Sequence, residues 1–419
     1  MKNKKIFFIV GIIILIGFYL YLRLNKFEEK TTYHLDQGLH LLESWEMVTN
    51  KDIRLIGPMV SSKTYMDRGF FIGPQYYYVL AVLGIITKWN PIAIDIVLLF
   101  VELGFILYFV NWIRKKFGNL EAIMAFGLFT FSKYFIIHSR FFWNPHFLLP
   151  LGILAVTTLD KYIRLNKTKY FFGFGVLWGL AFSFHYSAVF WIIPLLVVLI
   201  KNKKLWNKDV FIYLPIGFFL GNLPWFVFEL RNNFYNIKTI LWVMTQSSSS
   251  GRLEPHYFIY PLIVFGLWGI AWLINKIKRN KVAIILILIL TISLVQAKII
   301  NDPIPLGHPV GWNYLIQKEV VNKISKDDCP KNFNIASTVS GDTRSYDLRF
   351  LLTAKGCVPM DVENYPKAEK LFLVAPIDRP PETEKVWEVD SLGKFKINRQ
   401  EKLTEKIVFY ELEKLEEKK

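Results

Sequence analysis

The stretch FFIGPQYYYVLAVLGIITK, residues 70–88, decides how the rest of the chain is laid out. It is apolar enough to enter a bilayer, yet it is short, follows Gly69, contains Gly73-Pro74 and carries three consecutive tyrosines, Tyr76–Tyr78. A membrane-spanning helix takes about 20 mostly apolar residues. Runs of that kind occur at roughly 6–24, 91–113, 119–137, 145–163, 169–185, 187–200, 210–228, 257–275 and 282–299. Whether 70–88 also spans sets the side on which every later segment lies.

Charge arbitrates. Lys and Arg collect on the cytoplasmic ends of membrane spans. If 70–88 does not span, the inner segments are the N-terminus, Arg114–Lys116, Lys161–Lys169, Lys201–Lys208 and Lys276–Lys281, which together hold 18 basic residues. The first outer loop, 25–90, then holds seven basic and seven acidic residues and is neutral. If 70–88 did span, four of the five basic clusters would move outside. The segment therefore reads as interfacial or re-entrant, with its tyrosines at the headgroup level. Nine spans follow, with the N-terminus cytoplasmic and the end of the chain extracytoplasmic, as in a multi-pass plasma-membrane protein. The first run reads as an uncleaved anchor, because no small-residue cleavage site follows Tyr21–Arg23.

The same charge excludes a nucleic-acid partner. The 419-residue chain is 53% hydrophobic, only 20% charged and carries a net +17, against about 45–50% apolar and about 25% charged in soluble domains. Residues 1–300 hold 32 basic and 14 acidic residues, and residues 301–419 hold 19 and 20. The excess lies wholly in the apolar part, whereas a nucleic-acid site would place it on a folded soluble surface. The expected architecture is a mainly α polytopic membrane domain over 1–300 and a small extracytoplasmic α/β domain over 301–419. In the latter, helical patterns near 312–325 and 344–355 alternate with strand-like runs Phe333–Val339, Lys370–Ala375 and Ile407–Leu412. Cys329 and Cys357 both fall there, either bridged or as two buried thiols. There is no zinc spacing and no phosphate-binding glycine loop.

On this topology all seven histidines (34, 40, 138, 146, 185, 256 and 308) lie on or near the outer face. In the first loop, Tyr33–His40 precedes apolar residues at helical spacing, so a surface helix is expected with Asp36 near its start. Two readings stay open for Asp36: a helix-capping carboxylate, or a carboxylate held where lipid-linked and water-soluble substrates meet. The second loop, His138-Ser139-Arg140-Phe141-Phe142-Trp143-Asn144-Pro145-His146, sets an arginine beside aromatics, where it needs an anion. A lipid headgroup phosphate and a substrate phosphate both qualify. Of Asp95 and Glu102, inside the second span, one is expected to meet a polar group of a neighbouring helix, and Glu229 and Arg231, which close the seventh span, could pair with each other.

The ordered pieces LDQGLHLLESWEM, LIGPMVSS, FFIGPQYYYVLAVLG, NPIAIDIVLLF, RKKFG, SRFFWNPHFLLPLGIL and GLAFSFHYSAVF, over about residues 1–200, resemble bacterial membrane glycosyltransferases of the GT-C superfamily. The likeness lies near family 39, the dolichyl-phosphate-mannose protein mannosyltransferase type. The resemblance implies transfer of one sugar, with inversion, from a polyprenyl-phosphate carrier to a protein, lipid or glycan acceptor on the outer face. It aligns the family's catalytic first-loop aspartate with Asp36. Many members have Asp-Glu where this chain has Asp36-Gln37; without a second carboxylate a divalent cation has no support, and no cofactor is named. A His-x-Pro-like motif corresponds to Ile72–Tyr77 without its histidine, and Ser139-Arg140 matches the second-loop Ser-Arg. Asn144 stands in a stretch where other members carry an acid. The implied donor-phosphate and substrate-binding set is Arg140, His138, Asn144, His146, His185, Tyr76, Tyr77 and Gln37. One carboxylate suffices chemically. A glycoside needs a second to protonate its alkoxide, whereas a phosphate already leaves well and needs only cations or donors around it. The competing readings are a flippase of lipid-linked sugars, an O-antigen ligase or polymerase, and a non-catalytic assembly or sensor protein.

Overall fold

The computed structural model describes residues 2–60, 69–202, 208–245, 255–277, 305–326 and 329–415. Helix α1 (Lys2–Leu24) leads through the single turn α2 (Phe27–Lys30) and a non-helical link into α3 (Leu35–Thr49). The helices α4 (Gln75–Ile86), α5 (Pro91–Lys116), α6 (Asn119–Phe131), α7 (Lys133–His138), α8 (Leu148–Leu165) and α9 (Thr168–Phe184) follow. Then come α10 (Ile192–Lys201), α11 (Lys208–Gly221), α12 (Leu223–Arg231), α13 (Tyr235–Thr245) and α14 (His256–Ile277). The ninth expected span, 282–299, and the serine run Gln246–Ser250 lie outside the described residues.

Among the described residues, Ile6–Leu24, Pro91–Lys116 and His256–Leu273 are single helices long and apolar enough to cross a membrane. The deciding stretch forms α4, 12 residues long. At about 1.5 Å per residue it is about 18 Å long, short of a hydrocarbon core of about 30 Å. Helix α5 starts where Asn90 accepts the Ala93 N–H and Pro91 occupies the first turn, and it ends on Arg114, Lys115 and Lys116, which face the negative end of its dipole.

Two expected runs are not straight. Residues 119–137 break at Ser132, and the carbonyls freed there are taken by Arg23, whose guanidinium reaches Phe129 O at 2.6 Å and Thr130 O at 3.2 Å. Arg23 is fully buried beneath the Tyr19 ring. Residues 210–228 form two helices meeting at 81°. Pro224, in the first turn of α12, has no N–H to continue the α11 ladder. Glu229 does not pair with Arg231; it accepts the Asn236 and Ile237 N–H groups at 3.1 and 3.0 Å, capping α13. Glu102 does find a neighbouring helix, accepting from Tyr19 at 3.3 Å. Helices α9 and α11 touch backbone to backbone. A Cβ on Gly179 would stand 2.1 Å from Phe218 O, and one on Gly221 2.2 Å from Val176 O. Gly175/Gly179 and Gly217/Gly221 are thus facing small-residue pairs at four-residue spacing.

The C-terminal domain is a small mixed sheet with helices, as expected. Its elements are α15 (Tyr314–Ile324), β1 (Phe333–Ser337), α16 (Tyr346–Ala354), β2 (Lys370–Pro376), α17 (Trp387–Asp390), β3 (Phe395–Lys402) and β4 (Ile407–Lys414), in sheet order β1-β2-β4-β3. Strand β1 runs parallel to β2, and the other pairs are antiparallel. Strand β3 escaped the sequence reading because FKINRQEK lies on an edge and is largely exposed, so it carries no apolar face. Cys329 and Cys357 are bridged.

Two measurements check this domain. Cys329→Ser with Cys357→Ser opens a cross-link of sequence separation 28, and thermal melting is expected to show a loss of about 2–4 kcal/mol. Asp347 accepts from Gln317 (2.7 Å), Ser345 (2.9 Å) and its neighbour's Leu348 N–H (2.8 Å), but burial, then the charge of Asp342, push its carboxyl up to about 6 from 3.8. A raised carboxyl stabilises the fold below its unfolded value and loses that contribution as pH rises through its folded one. Between about pH 4 and 6, Tm should therefore fall more steeply in the wild type than in Asp347→Asn.

Candidate functional site

The link between α2 and α3 and the turn after α7 are sewn together. Thr31 Oγ1 donates to the Arg140 carbonyl and lies 3.4 Å from Asp95 Oδ2, and Asp95 also accepts from the Phe142 backbone. Gln37 Nε2 donates to Phe142 O at 3.1 Å while its Oε1 accepts the His34 N–H at 3.3 Å. His34 is the N-cap of α3 and Gln37 closes its capping box. The role of Gln37 is thus to start the helix and to tie it to the second loop.

That arrangement removes the capping reading for Asp36. It is the second residue of α3, partly exposed, in a first turn whose dipole favours a carboxylate. Among the described residues its side chain makes no hydrogen bond and no ion pair. Its charge is felt by His34, His40, Tyr76 and Tyr77, which places all four around it. His40 is buried with its ring edge-on to Tyr76 at 5.3 Å, and burial pulls it down to about 4, so it is neutral near pH 7. The hydroxyl of fully buried Tyr76 and one oxygen of Asp95 have no partner among the described residues. Tyr77 lies under the Arg54 guanidinium, 5.6 Å from ring centre to Cζ.

Arg140 is 6% exposed. Its Nη2 donates to Leu22 O at the end of α1, at 2.6 Å, and its Nε has no partner among the described residues. No carboxylate pairs with it there. The charge that acts on it is that of Arg23, which with burial pulls Arg140 down to about 10. Lys30, also buried, is pulled down by burial and then by Arg140. Lys30 has the charge of its neighbour Glu29 to offset its own, but Arg140 has no such partner among the described residues. A buried cation without its anion is costly, and this one marks a place for an anion. The sequence reading missed Lys30; its only signal was a lone basic residue six positions beyond the first span.

The predicted histidines do not join Arg140. His138 and His146 face each other, Nδ1 to Nε2 3.3 Å, within a ring of aromatics: Tyr134 stacks on His138 at 4.1 Å and Tyr260 lies 4.9 Å from His146. Trp143 bridges to His256 at 4.6 Å, and His256 to His185 at 5.8 Å. Asn144 donates to Phe184 O at 2.9 Å and so closes the end of α9. Proximity in sequence joined His138 to His146; His185, His256 and Tyr260 arrive only through tertiary contact. These groups border two cavities that share His138 and Trp143. One of about 270 Å³ is largely apolar with Asp95, Glu102 and His146 in its wall; the other, of about 630 Å³, is bordered by Lys133, Tyr134 and His256. The seven histidines thus fall into two groups, with His34, His40 and His308 at the start of α3. Among the described residues no set of three His, Cys, Asp or Glu side chains is arranged to hold a metal ion.

Residues 73–228, from the start of α4 into α12, match the family model for dolichyl-phosphate-mannose-protein mannosyltransferase. The matched part contains Arg140, His138, Asn144, His146 and His185, and lies beyond Asp36. No curated protein and no solved structure matches the chain. The resemblance read from the sequence is borne out over the matched residues. Over residues 73–228 the chain is thus similar to the dolichyl-phosphate-mannose-protein mannosyltransferase family, and that likeness together with its long apolar helices supports a membrane glycosyltransferase of the GT-C type.

Proposed function

We propose that the protein transfers a sugar from a polyprenyl-phosphate carrier to an acceptor hydroxyl on the extracytoplasmic face, with inversion, and that Asp36 is the general base. The observation that carries this reading is a short seam tying the turn that bears an unpartnered first-turn carboxylate to the turn that bears buried Arg140, which has no carboxylate partner among the described residues. Gln37, next to Asp36, is bonded to Phe142, two residues from Arg140. Asp36 takes the proton from the acceptor hydroxyl as its oxygen attacks the anomeric carbon. The bond from that carbon to the phosphate oxygen breaks, and the phosphate leaves with the electron pair. Arg140 and Lys30 offset the charge it carries away. Tyr76 and Tyr77 border the reacting region. The histidine and aromatic ring around His138, His146 and His185 offers a platform for the sugar or the acceptor. The inner basic clusters support the outward orientation.

The test uses membranes carrying the full chain and a panel of polyprenyl-phosphate hexoses and pentoses, with sugar released from the lipid as the readout. Asp36→Asn is expected to lower turnover by about 10²–10⁴-fold with little change in KM for the lipid donor. Arg140→Ala is expected to raise KM for the donor and lower turnover, with Lys30→Ala acting in the same direction more weakly. Full activity in both Asp36→Asn and Arg140→Ala overturns the mechanism.

A further inference from the structure

The C-terminal domain lies outside the residues that match the family, yet it holds the segment that carries Asp36 from both sides. Tyr33, three residues before Asp36, is fixed at both backbone groups. Its N–H donates to His308 Nε2 at 3.2 Å, and its carbonyl accepts from Gln317 Nε2 at 2.8 Å. Gln317 is fully buried, and the same Nε2 donates to Asp347 Oδ2 at 2.7 Å. The hydroxyl of Thr32 donates to Leu306 O at 3.2 Å, and the Tyr33 ring meets Tyr314 edge-on at 5.5 Å. Two residues beyond Asp36, a Cβ on Gly38 would stand 2.3 Å from the Tyr346 carbonyl oxygen. Helix α3 therefore lies directly against the start of α16, with no room for a side chain between them.

This grip has a physical consequence. Residues 31–34 are not helical, so no ladder of their own orders them, and fixing each such backbone costs conformational entropy. Bonds to the membrane domain hold Thr31 and Gln37 on one side. On the other side Tyr33 depends wholly on residues from beyond position 305. A base must sit within a few tenths of an ångström of its working position, and a displacement of about 1 Å costs on the order of 10²-fold in rate. We propose that the C-terminal domain is part of the transfer site, with His308 and Gln317 as positioning residues that hold the turn bearing Asp36. This rests on the reading of Asp36 as the base.

The experiment compares the full-length, purified wild type with His308→Leu, His308→Gln, Gln317→Leu and Asp36→Asn, each normalised to folded protein by gel filtration. The donors are the polyprenyl-phosphate sugars above, and amide hydrogen exchange over residues 33–38 is followed in parallel. Both Leu variants are expected to lose about 10- to 100-fold in kcat with KM for the donor within about twofold, and to exchange faster over 33–38. His308→Gln keeps an acceptor near the Nε2 position and is expected to recover most of both. Wild-type kcat and exchange in the Leu variants, with Asp36→Asn inactive, overturns the inference and leaves the base reading standing. So does a rise in KM at unchanged kcat, or a His308→Gln variant as impaired as His308→Leu. A fully active Asp36→Asn overturns the base reading and this inference with it.

Discussion

The hydrogen bonds that run between residues 31–37 and the turn 140–142 are the seam on which the site depends. Polar groups buried inside a protein have no water to turn to, so each must find its partner there. Thr31 answers the Arg140 carbonyl, Gln37 answers Phe142 and His34, and Arg23 answers the carbonyls left free where α6 breaks. Not every group is answered. Arg140 Nε, the Tyr76 hydroxyl and one oxygen of Asp95 are buried without a partner among the described residues, as are Arg23 Nε, the Tyr33 hydroxyl and His40 Nδ1.

The seam also explains why a site can be built on a link that has little structure of its own. Residues 31–34 sit between a membrane domain that bonds to Thr31 and Gln37 and a C-terminal domain that bonds to Thr32 and Tyr33. The close approach at Gly38 puts α16 directly on α3, so the two domains meet at the helix that begins with the candidate base. A domain that looks separate in composition is thereby packed directly against the other.

The helical and sheet elements were largely legible because each is carried by a local pattern: apolar runs, basic helix ends, and the short strand-like stretches Phe333–Ser337 and Ile407–Leu412. Strand β3 was not, since an exposed edge strand needs no apolar face. The breaks at Ser132 and Asn222 were not either, because hydropathy averages over a kink that one proline or one missing ladder bond produces. The same limit applies to Gly175/Gly179 and Gly217/Gly221, whose spacing has meaning only once α9 and α11 face each other.

By itself the sequence determined the class of molecule. Its basic excess is confined to the apolar two-thirds, its residues 73–228 match the family model of a mannosyltransferase, and Asp36 and Arg140 stand out in the first two loops. What only the tertiary structure decided is how these residues are grouped. Arg140 turns toward Lys30 and the end of α1 rather than toward the histidines; His138 and His146 gather with His185 and His256; Gln37 proves to be a cap and a tie. The C-terminal domain reaches back nearly 300 positions to grip Tyr33, the separation between Tyr33 and Gln317 being 284. The reason is physical. Periodicity and charge act over a few residues and survive in any one-dimensional reading, whereas the partner of a buried polar group is chosen by packing, which depends on the whole fold.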